Sequence, residues 1–345
     1  MLLCVIIIMA SKRKCDTEAN SSRPTSSSSA STSVAKVSKY DPETFINFTG
    51  LIKSTLTRED TVKFCQRFGI LPKCVNCPSC GVILNALSLN NNCYNFRCSK
   101  RSCLKRVYLT QNTWFQGRNI SLEKVLVLTY CFVTKTSYAQ ANHETSGPNY
   151  DGVTTSSETV SDTFSYCREV CIEILWQQGD TIIGGPNCIV EIDEGKFGKR
   201  KYNRGRIVDG QWVLGGICRE TKKCFLVPIE NKKEETLLAI IEKHVRPGSI
   251  VNTDCFKSYD NLEEKLKLKH YTVNHSQNFV DPETGCHTNT IESIWWAEKR
   301  SFRSSHTRHE NFAEHLAEYL YLKSTAGPYQ FTQFLYDIAK LYPGN

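Results

Sequence analysis

Four cysteines in two short spacings constrain this chain more tightly than any other feature. Cys77-Pro78-Ser79-Cys80 is a C-x2-C pair followed at once by Gly81, and Cys98-Ser99-Lys100-Arg101-Ser102-Cys103 is a C-x4-C pair. The 17 residues between the pairs suit two hairpins gripping one Zn2+ through four thiolates, a closed tetrahedral structural site without an open position for chemistry. So small a segment has little apolar core, so metal binding would supply much of its folding energy. The competing reading is a set of buried free thiols, and Cys74 and Cys93 are spares that could replace a ligand. Arg97, Lys100, Arg101, Lys105 and Arg106 surround the second pair, interleaved with Tyr94, Phe96 and Tyr108. That pattern fits either nucleic-acid contact or a solvated face.

The whole chain carries 17 cysteines in 345 residues. An odd count in a long chain speaks against a secreted disulfide framework and for a reducing compartment with some metal-bound thiols. The apolar run Leu2 to Ala10 is nine residues long, too short to span a bilayer, and lacks a basic segment before it. It reads as a spurious upstream start or a frayed tail, and no membrane partner is expected. Ser11-Lys12-Arg13-Lys14 is a weak nuclear-import cue. The expected location is the nucleus in a eukaryote and otherwise the cytoplasm, with DNA. The formal charge of +8 favours a polyanionic partner over an acidic one, and 40% apolar content allows a sizeable core.

Composition and periodicity divide the chain into six parts. Residues 1–40 are expected to be a disordered tail, because the Ser/Thr-rich stretch cannot offset its ordering entropy. Residues 41–70 form a helical segment, with Phe45, Phe48, Leu51 and Ile52 at helical spacing. Residues 71–117 hold the zinc ribbon. Residues 118–180 are a helical linker region, with one helix over 120–145 opened by Ser121 and a second over 158–177. Such a pair is either a helix-turn-helix reader or a packing hairpin between domains. Residues 187–325 carry strands and helices, and residues 326–345 are a C-terminal extension.

Within 187–325, Cys188 to Ile192 is a buried strand ending at Asp193, and the runs Trp212–Ile217 and Cys224–Ile229 should pair across a short polar link. A helix over 233–244 leads to a strand, Ser249 to Thr253, that ends at Asp254; a helix at Leu262 and Leu266, a strand over 271–273 and a helical tract over 288–322 follow. This order predicts an α/β domain, an RNase H-like mixed sheet flanked by helices, with the strand after the crossover lying parallel.

If the strands ending at Asp193 and Asp254 are neighbours, two carboxylates leave the same sheet edge and repel unless cations lie between them. Hard oxygen donors suit two Mg2+ or Mn2+. Ions about 4 Å apart can activate a water or 3′-hydroxyl and stabilise a leaving oxygen. Glu292 is the best third acid, in His287-Thr288-Asn289-Thr290-Ile291-Glu292. Asn289, Glu292 and Lys299 fall near one helical stripe, and Lys299 could reach a DNA backbone. Lys196, Lys199, Arg200, Lys201, Arg204 and Arg206, broken by Gly195, Gly198 and Gly205, read as a basic loop that holds phosphates or as a solvated hairpin. His275 and His287 flank the third acid, as proton-transfer or structural groups. Trp295 and Trp296 read as core more than as a stacking platform, and Arg300, Arg303 and Arg308 as an extension of the basic surface.

The tract Glu191 to Tyr202, EIDEGKFGKRKY, resembles the first catalytic block of Merlin-type transposases and their bacterial insertion-sequence relatives with an N-terminal zinc ribbon. Asn252 to Tyr259, NTDCFKSY, resembles their second block, and Asn274-His275 with His287 to Glu292 their third. The Cys77/Cys80/Cys98/Cys103 set is similar to the ribbon that precedes this core, so the likeness runs over about residues 41–325. It implies an RNase H-like fold, a DDE triad of Asp193, Asp254 and Glu292, and cut-and-paste movement of an element with terminal inverted repeats. The spacing of Glu292 and Lys299 is similar to a signature of several DDE groups. Some bacterial relatives use an asparagine as third ligand, which makes Asn289 the competitor; a carboxylate holds a divalent cation more strongly than an amide, which favours Glu292. Double-stranded DNA and a dimer or larger assembly are the expected partners. A transposon-derived DNA-binding protein without catalysis, or a metal-dependent nuclease on the same fold, are the alternatives.

Overall fold

The structure is a computed structural model that describes residues 44–90, 93–147, 152–179, 181–197, 210–304 and 312–344. The expected tail over 1–40 and the basic residues Lys199, Arg200, Lys201, Arg204, Arg206 and Arg308 lie outside them, as do the side chains of Lys299, Arg300 and Arg303. The chain divides into two units, Met1–Val170 with Ala326–Asn345, and Cys171–Thr325.

The first unit begins with two short helices, α1 (Phe48–Ser54) and α2 (Arg58–Arg67). Asn47 and Thr57 cap them by accepting the backbone N–H of Gly50 and Asp60, each cap contributing about 1 kcal/mol. Gly69 ends α2 in the left-handed region at φ 74°. Two strand systems follow: the hairpin β1 (Val75–Asn76) and β2 (Ile83–Leu84), and the antiparallel sheet β3 (Leu87–Asn90), β4 (Cys93–Arg97), β5 (Arg106–Tyr108).

The single helix expected over 120–145 is two, α3 (Leu122–Val133) and α4 (Tyr138–Glu144). Lys135 takes φ 55°, the N–H of Thr136 reaches the Cys131 carbonyl and that of Lys135 reaches Phe132. This Schellman closure satisfies the terminal carbonyls, and Ser137 then caps the next helix by accepting the N–H of Gln140. A lysine at a position usually held by glycine hid the break from sequence. Helix α5 covers Ser157–Gln178. Residues 326–345, read as an extension, contribute α10 (Gln330–Leu341), whose Phe331 and Phe334 meet Tyr130 and Phe132 of α3 at ring separations of 5.0 and 5.7 Å. Among the described residues no helix is long and apolar enough to cross a membrane.

The second unit is a mixed α/β structure. Its sheet contains β6 (Ile189–Lys196), β7 (Trp212–Cys218), β8 (Cys224–Ile229), β9 (Ile250–Asp254) and β10 (Lys269–Val273) in the spatial order β10-β9-β6-β7-β8. β6, β7 and β8 are antiparallel neighbours, while β9 lies parallel to both β6 and β10. Helix α6 (Glu234–His244) makes the crossover to β9, and α7 (Leu262–Leu266) the one to β10. These helices cover one face of the sheet, burying Val190, Ile192, Leu214, Val251, Leu237, Ile241 and Leu262. The other face is covered by α8 (Asn289–Ser304) and α9 (Phe312–Ser324), with Val213, Ile217, Ile291, Ile294, Trp295 and Leu316 in the core.

Asp193 does not end its strand as expected. β6 runs three residues further, because its pairing with β7 continues from Asp193↔Gly215 to Lys196↔Trp212. Adjacent glycines in β7 serve the two faces. A Cβ on Gly215 would lie 2.5 Å from the Trp295 ring, and one on Gly216 would lie 2.4 Å from Phe225. Each site is filled by a buried aromatic ring. Gly215→Ala and Gly216→Ala are each expected to cost about 1–3 kcal/mol, read as a lower urea midpoint at unchanged slope. Full wild-type stability in both variants would contradict this packing.

Candidate active site and metal centre

The sheet face under α8 gathers the acids. Side-chain alternation along β6 sends Glu191 and Asp193 to this face and Ile192 to the other. The β6–β9 ladder pairs Glu191 with Asn252. Two residues further along each strand stand Asp193 and Asp254, in step just beyond the point where that ladder ends. Here β9 ends at Asp254, while β6 continues past Asp193 to Lys196 along β7.

Glu191 is fully buried and accepts four hydrogen bonds. The backbone N–H groups of Thr290 (2.8 Å) and Ile291 (3.0 Å), the Thr290 hydroxyl (2.8 Å) and the Arg219 Nε (2.5 Å) all donate to it. Arg219 also donates to the His287 carbonyl at 2.8 Å. The first turn of α8 is therefore capped by a strand residue distant in sequence rather than by its own Thr288. Thr288 instead donates its hydroxyl to Glu292 Oε1 at 3.1 Å and meets His275 Nε2 at 2.8 Å. His275 Nε2 lies 3.3 Å from the same Glu292 oxygen, and the Glu292 side chain is 46% exposed.

Asp193 accepts the indole N–H of Trp295 at 2.9 Å. Burial pushes its carboxyl up to about 7; the charges of Glu194 and Asp254 add to the rise, against the Glu194 backbone N–H and the indole. Asp254 accepts the backbone N–H of Phe256 at 3.1 Å. Glu194 is turned to the opposite face, where Tyr259 donates to it and Lys232 Nζ lies 3.0 Å away. The Tyr259 phenol is held well above its ordinary range by burial and by Glu194.

Asp193 and Asp254 are thus brought to one face, and α8 carries Glu292 and the exposed Asn289 on its first turn. The carboxylate oxygens of Asp193, Asp254 and Glu292 are not all within 4.8 Å of one another, so they do not form a ready single-ion grip. Lys196 keeps its Nζ 5.4 Å from the Trp212 ring centre. The tryptophan pair splits: Trp295 is core at 4% exposure and Trp296 is 68% exposed. Sequence reasoning passed over Glu191, Arg219 and the Glu194–Tyr259–Lys232 group. The available signal was an acid two residues before Asp193 inside an apolar strand, a place where a carboxylate needs partners.

In the first unit Cys77, Cys80, Cys98 and Cys103 converge, with all four sulfurs within 4.8 Å of one another. Cys77 Sγ lies 3.5 Å from Cys103, and Cys80 Sγ 3.5 Å from Cys98. Thiolates on a tetrahedral Zn2+, with Zn–S of about 2.3 Å, stand about 3.8 Å apart, so the set fits that ion. Gly81 (φ 71°) and Leu104 (φ 49°) close the two tips, and the N–H groups of Gly81 and Leu104 reach the Cys77 and Lys100 carbonyls. Backbone N–H groups of Ser79 and Cys80 point at Cys77 and lower its thiol to about 6. At Cys98 the Lys100 N–H acts in the same direction, but burial and three neighbouring thiols outweigh it and raise that thiol to about 12. Cys74 and Cys93 are exposed and lie outside it.

A carboxyl raised in the fold favours folding where it stays protonated, and that contribution is lost as pH rises. For Asp193 the window runs from 3.8 to about 7. In buffer free of divalent cations the melting temperature of the second unit is expected to fall across this window. Asp193→Asn should flatten that fall and leave the variant several degrees more stable than wild type at pH 8. Parallel melting profiles for the two proteins would contradict the burial argument.

Residues 179–321 match the family profile of the ISXO2-like transposase domain, a span of less than half the chain that contains Asp193, Asp254 and Glu292. Over 78 residues the chain is 38% identical to an uncharacterized transposase-like protein of Haemophilus influenzae, covering 23% of this chain and 61% of that relative. The chain thus spans about 61% of the length of the curated relative it matches. Among solved structures it is 14% identical to the HTLV-2 integrase catalytic core domain in complex with magnesium, over 39% of this chain and 83% of that one, with a TM-score of 0.25. It is 13% identical to a chain of the simian T-cell lymphotropic virus intasome in complex with PP2A regulatory subunit B56 gamma, over 47% and 57%, again at a TM-score of 0.25. The unit that bears the carboxylate face is therefore similar in sequence to a bacterial insertion-sequence transposase domain.

Proposed function

We propose that the chain is a DDE-type DNA transposase of Merlin type, with an RNase H-like catalytic domain over residues 187–325 and a zinc ribbon over residues 71–117. The observation that carries the proposal is the placement of Asp193 and Asp254 on one face of the sheet, each two residues past the last pair of the parallel β6–β9 ladder, beneath the helix that bears Glu292. The similarity of residues 179–321 to a transposase domain supports it, as does the sheet order of three antiparallel strands followed by two parallel ones.

In this reading Asp193, Asp254 and Glu292 hold two Mg2+ or Mn2+, with Asn289 as the alternative third ligand. Hard oxygen donors on a face where two acids already repel fit such ions, and a pair of ions can be shared by carboxylates too far apart to grip one. When bound, the ions supply charge stabilisation for in-line attack at phosphorus, first by water at the element's ends and then by the freed 3′-hydroxyl on target DNA. The residues of the chain orient and exclude water. Trp295 fixes Asp193 through its indole N–H, and Thr288 and His275 fix Glu292. Lys196, Lys199, Arg200, Lys201, Arg204, Arg206 and Lys299 hold DNA phosphates. Cys77, Cys80, Cys98 and Cys103 hold one Zn2+, with no position left open for chemistry. Two element ends must be joined together, so the active form is a dimer or larger. Where the host is a eukaryote the protein works in the nucleus.

The deciding experiment combines full-length protein, Mn2+ and a labelled element end. Cleavage followed by strand joining is expected. Asp193→Asn should lower both by about 10³-fold while DNA binding stays within about twofold. Binding without cleavage in the wild type would leave a DNA-binding regulator, and cleavage without joining a nuclease. The purified chain should carry one zinc per molecule, and Cys98→Ser should lose it together with the ordered signals of residues 71–117. A zinc-free wild type with those residues folded would overturn the ribbon.

A further inference from the structure

We infer that Glu191 and Arg219 are positioning residues that set where the third metal ligand stands, an inference that rests on the proposed two-ion site. Glu191 is absent from the triad and touches neither Asp193 nor Glu292 by any hydrogen bond. It is nevertheless the only point at which β6 grips the first turn of α8 through main-chain donors among the described residues. Asp193 stands two residues after Glu191 on the same face of the same strand, and Glu292 stands two residues after Thr290 on the helix. The Glu191 carboxylate is therefore the shared origin from which both ligand-bearing segments are measured.

Three features make this a rigid reference. Glu191 has no exposed surface, so water does not compete for its oxygens. It satisfies the N–H groups of the second and third residues of α8, which lack partners within any helix, and its charge lies at the positive end of that helix. Arg219 bonds to Glu191 through Nε and to the His287 carbonyl through its terminal nitrogen at 2.8 Å, so one guanidinium fixes both the carboxylate and the segment entering the helix. Lysine has no such planar fork. The arrangement also frees the Thr288 hydroxyl from capping duty, and that hydroxyl is then turned onto Glu292, with His275 on its other side.

Removing the carboxylate charge should loosen the first turn of α8 and let Glu292 drift, without unfolding a sheet that has two full cores. The test uses the full chain with Glu191→Gln, and Arg219→Lys as a second variant in case the first is poorly folded. Hydrogen exchange at residues 288–294 should speed up by tenfold or more in each, while amides of β6, β7 and β9 keep wild-type protection. Mn2+ affinity measured by calorimetry should weaken by about 10- to 100-fold, the range typical of lost outer-sphere support, with labelled-DNA affinity unchanged. Unchanged exchange in the first turn, or a lowered melting temperature with wild-type Mn2+ affinity, would overturn the positioning role. Wild-type protein that binds no Mn2+ while the two variants still show the faster exchange would instead overturn the two-ion reading and leave the helix anchor standing.

Discussion

An ionised carboxylate in the middle of a sheet, with no contact to water, is tolerated only if every oxygen lone pair finds a donor. Glu191 is such a group, and the second unit is arranged around satisfying it. Its donors come from the start of α8, about 100 residues later in the chain, and from Arg219 at the turn after β7. Once those bonds are made, the helix has one register against the sheet. Trp295, further along α8, then falls onto Gly195 and Gly215, the only residues of those strand positions that leave room for an indole. Its N–H meets Asp193 as a consequence.

The acids of β6 are divided between two environments by strand alternation. Glu194 faces the α6 side, where Lys232 balances its charge and Tyr259 donates a hydrogen bond to it. Asp193 faces the α8 side, where its neighbours are an indole N–H and another carboxylate. That asymmetry leaves Asp193 with hydrogen-bond donors but no cation, while Glu194 has the Lys232 ammonium. A face that collects negative charge and supplies few permanent positive partners is chemically suited to cations from solution. The four-cysteine set of the first unit follows a different logic. Soft sulfur donors held between two backbone turns suit a structural ion, and backbone N–H groups directed at Cys77 and Cys98 favour the thiolate form that such an ion needs.

Much of the second unit was legible in the sequence because its signals are local. Apolar runs marked β6 to β9, the short run Tyr271 to Val273 marked part of β10, the polar link Arg219 to Lys223 marked the β7–β8 turn, and the helix between β8 and β9 required a parallel crossover. The cysteine spacing likewise singled out Cys77, Cys80, Cys98 and Cys103, the four that converge. The errors have identifiable causes. The helix read over 120–145 breaks at Lys135, a left-handed residue that no composition rule marks. Polarity at Asp193 marks a strand end, whereas pairing with β7 carries the strand on to Lys196.

The sequence by itself determined which residues can do chemistry: the acids, the thiols and their order, because residue type and spacing are written in it directly. Only the tertiary structure decided which of them meet. Whether Asp193 stands level with Asp254 depends on a β6–β9 register set by the packing of Val190 and Val251 beneath α6. Where Glu292 stands depends on the long-range cap from Glu191, whose partners lie about a hundred residues away. Contacts closed over such separations are fixed by the burial of whole faces, and no short window of sequence carries that information.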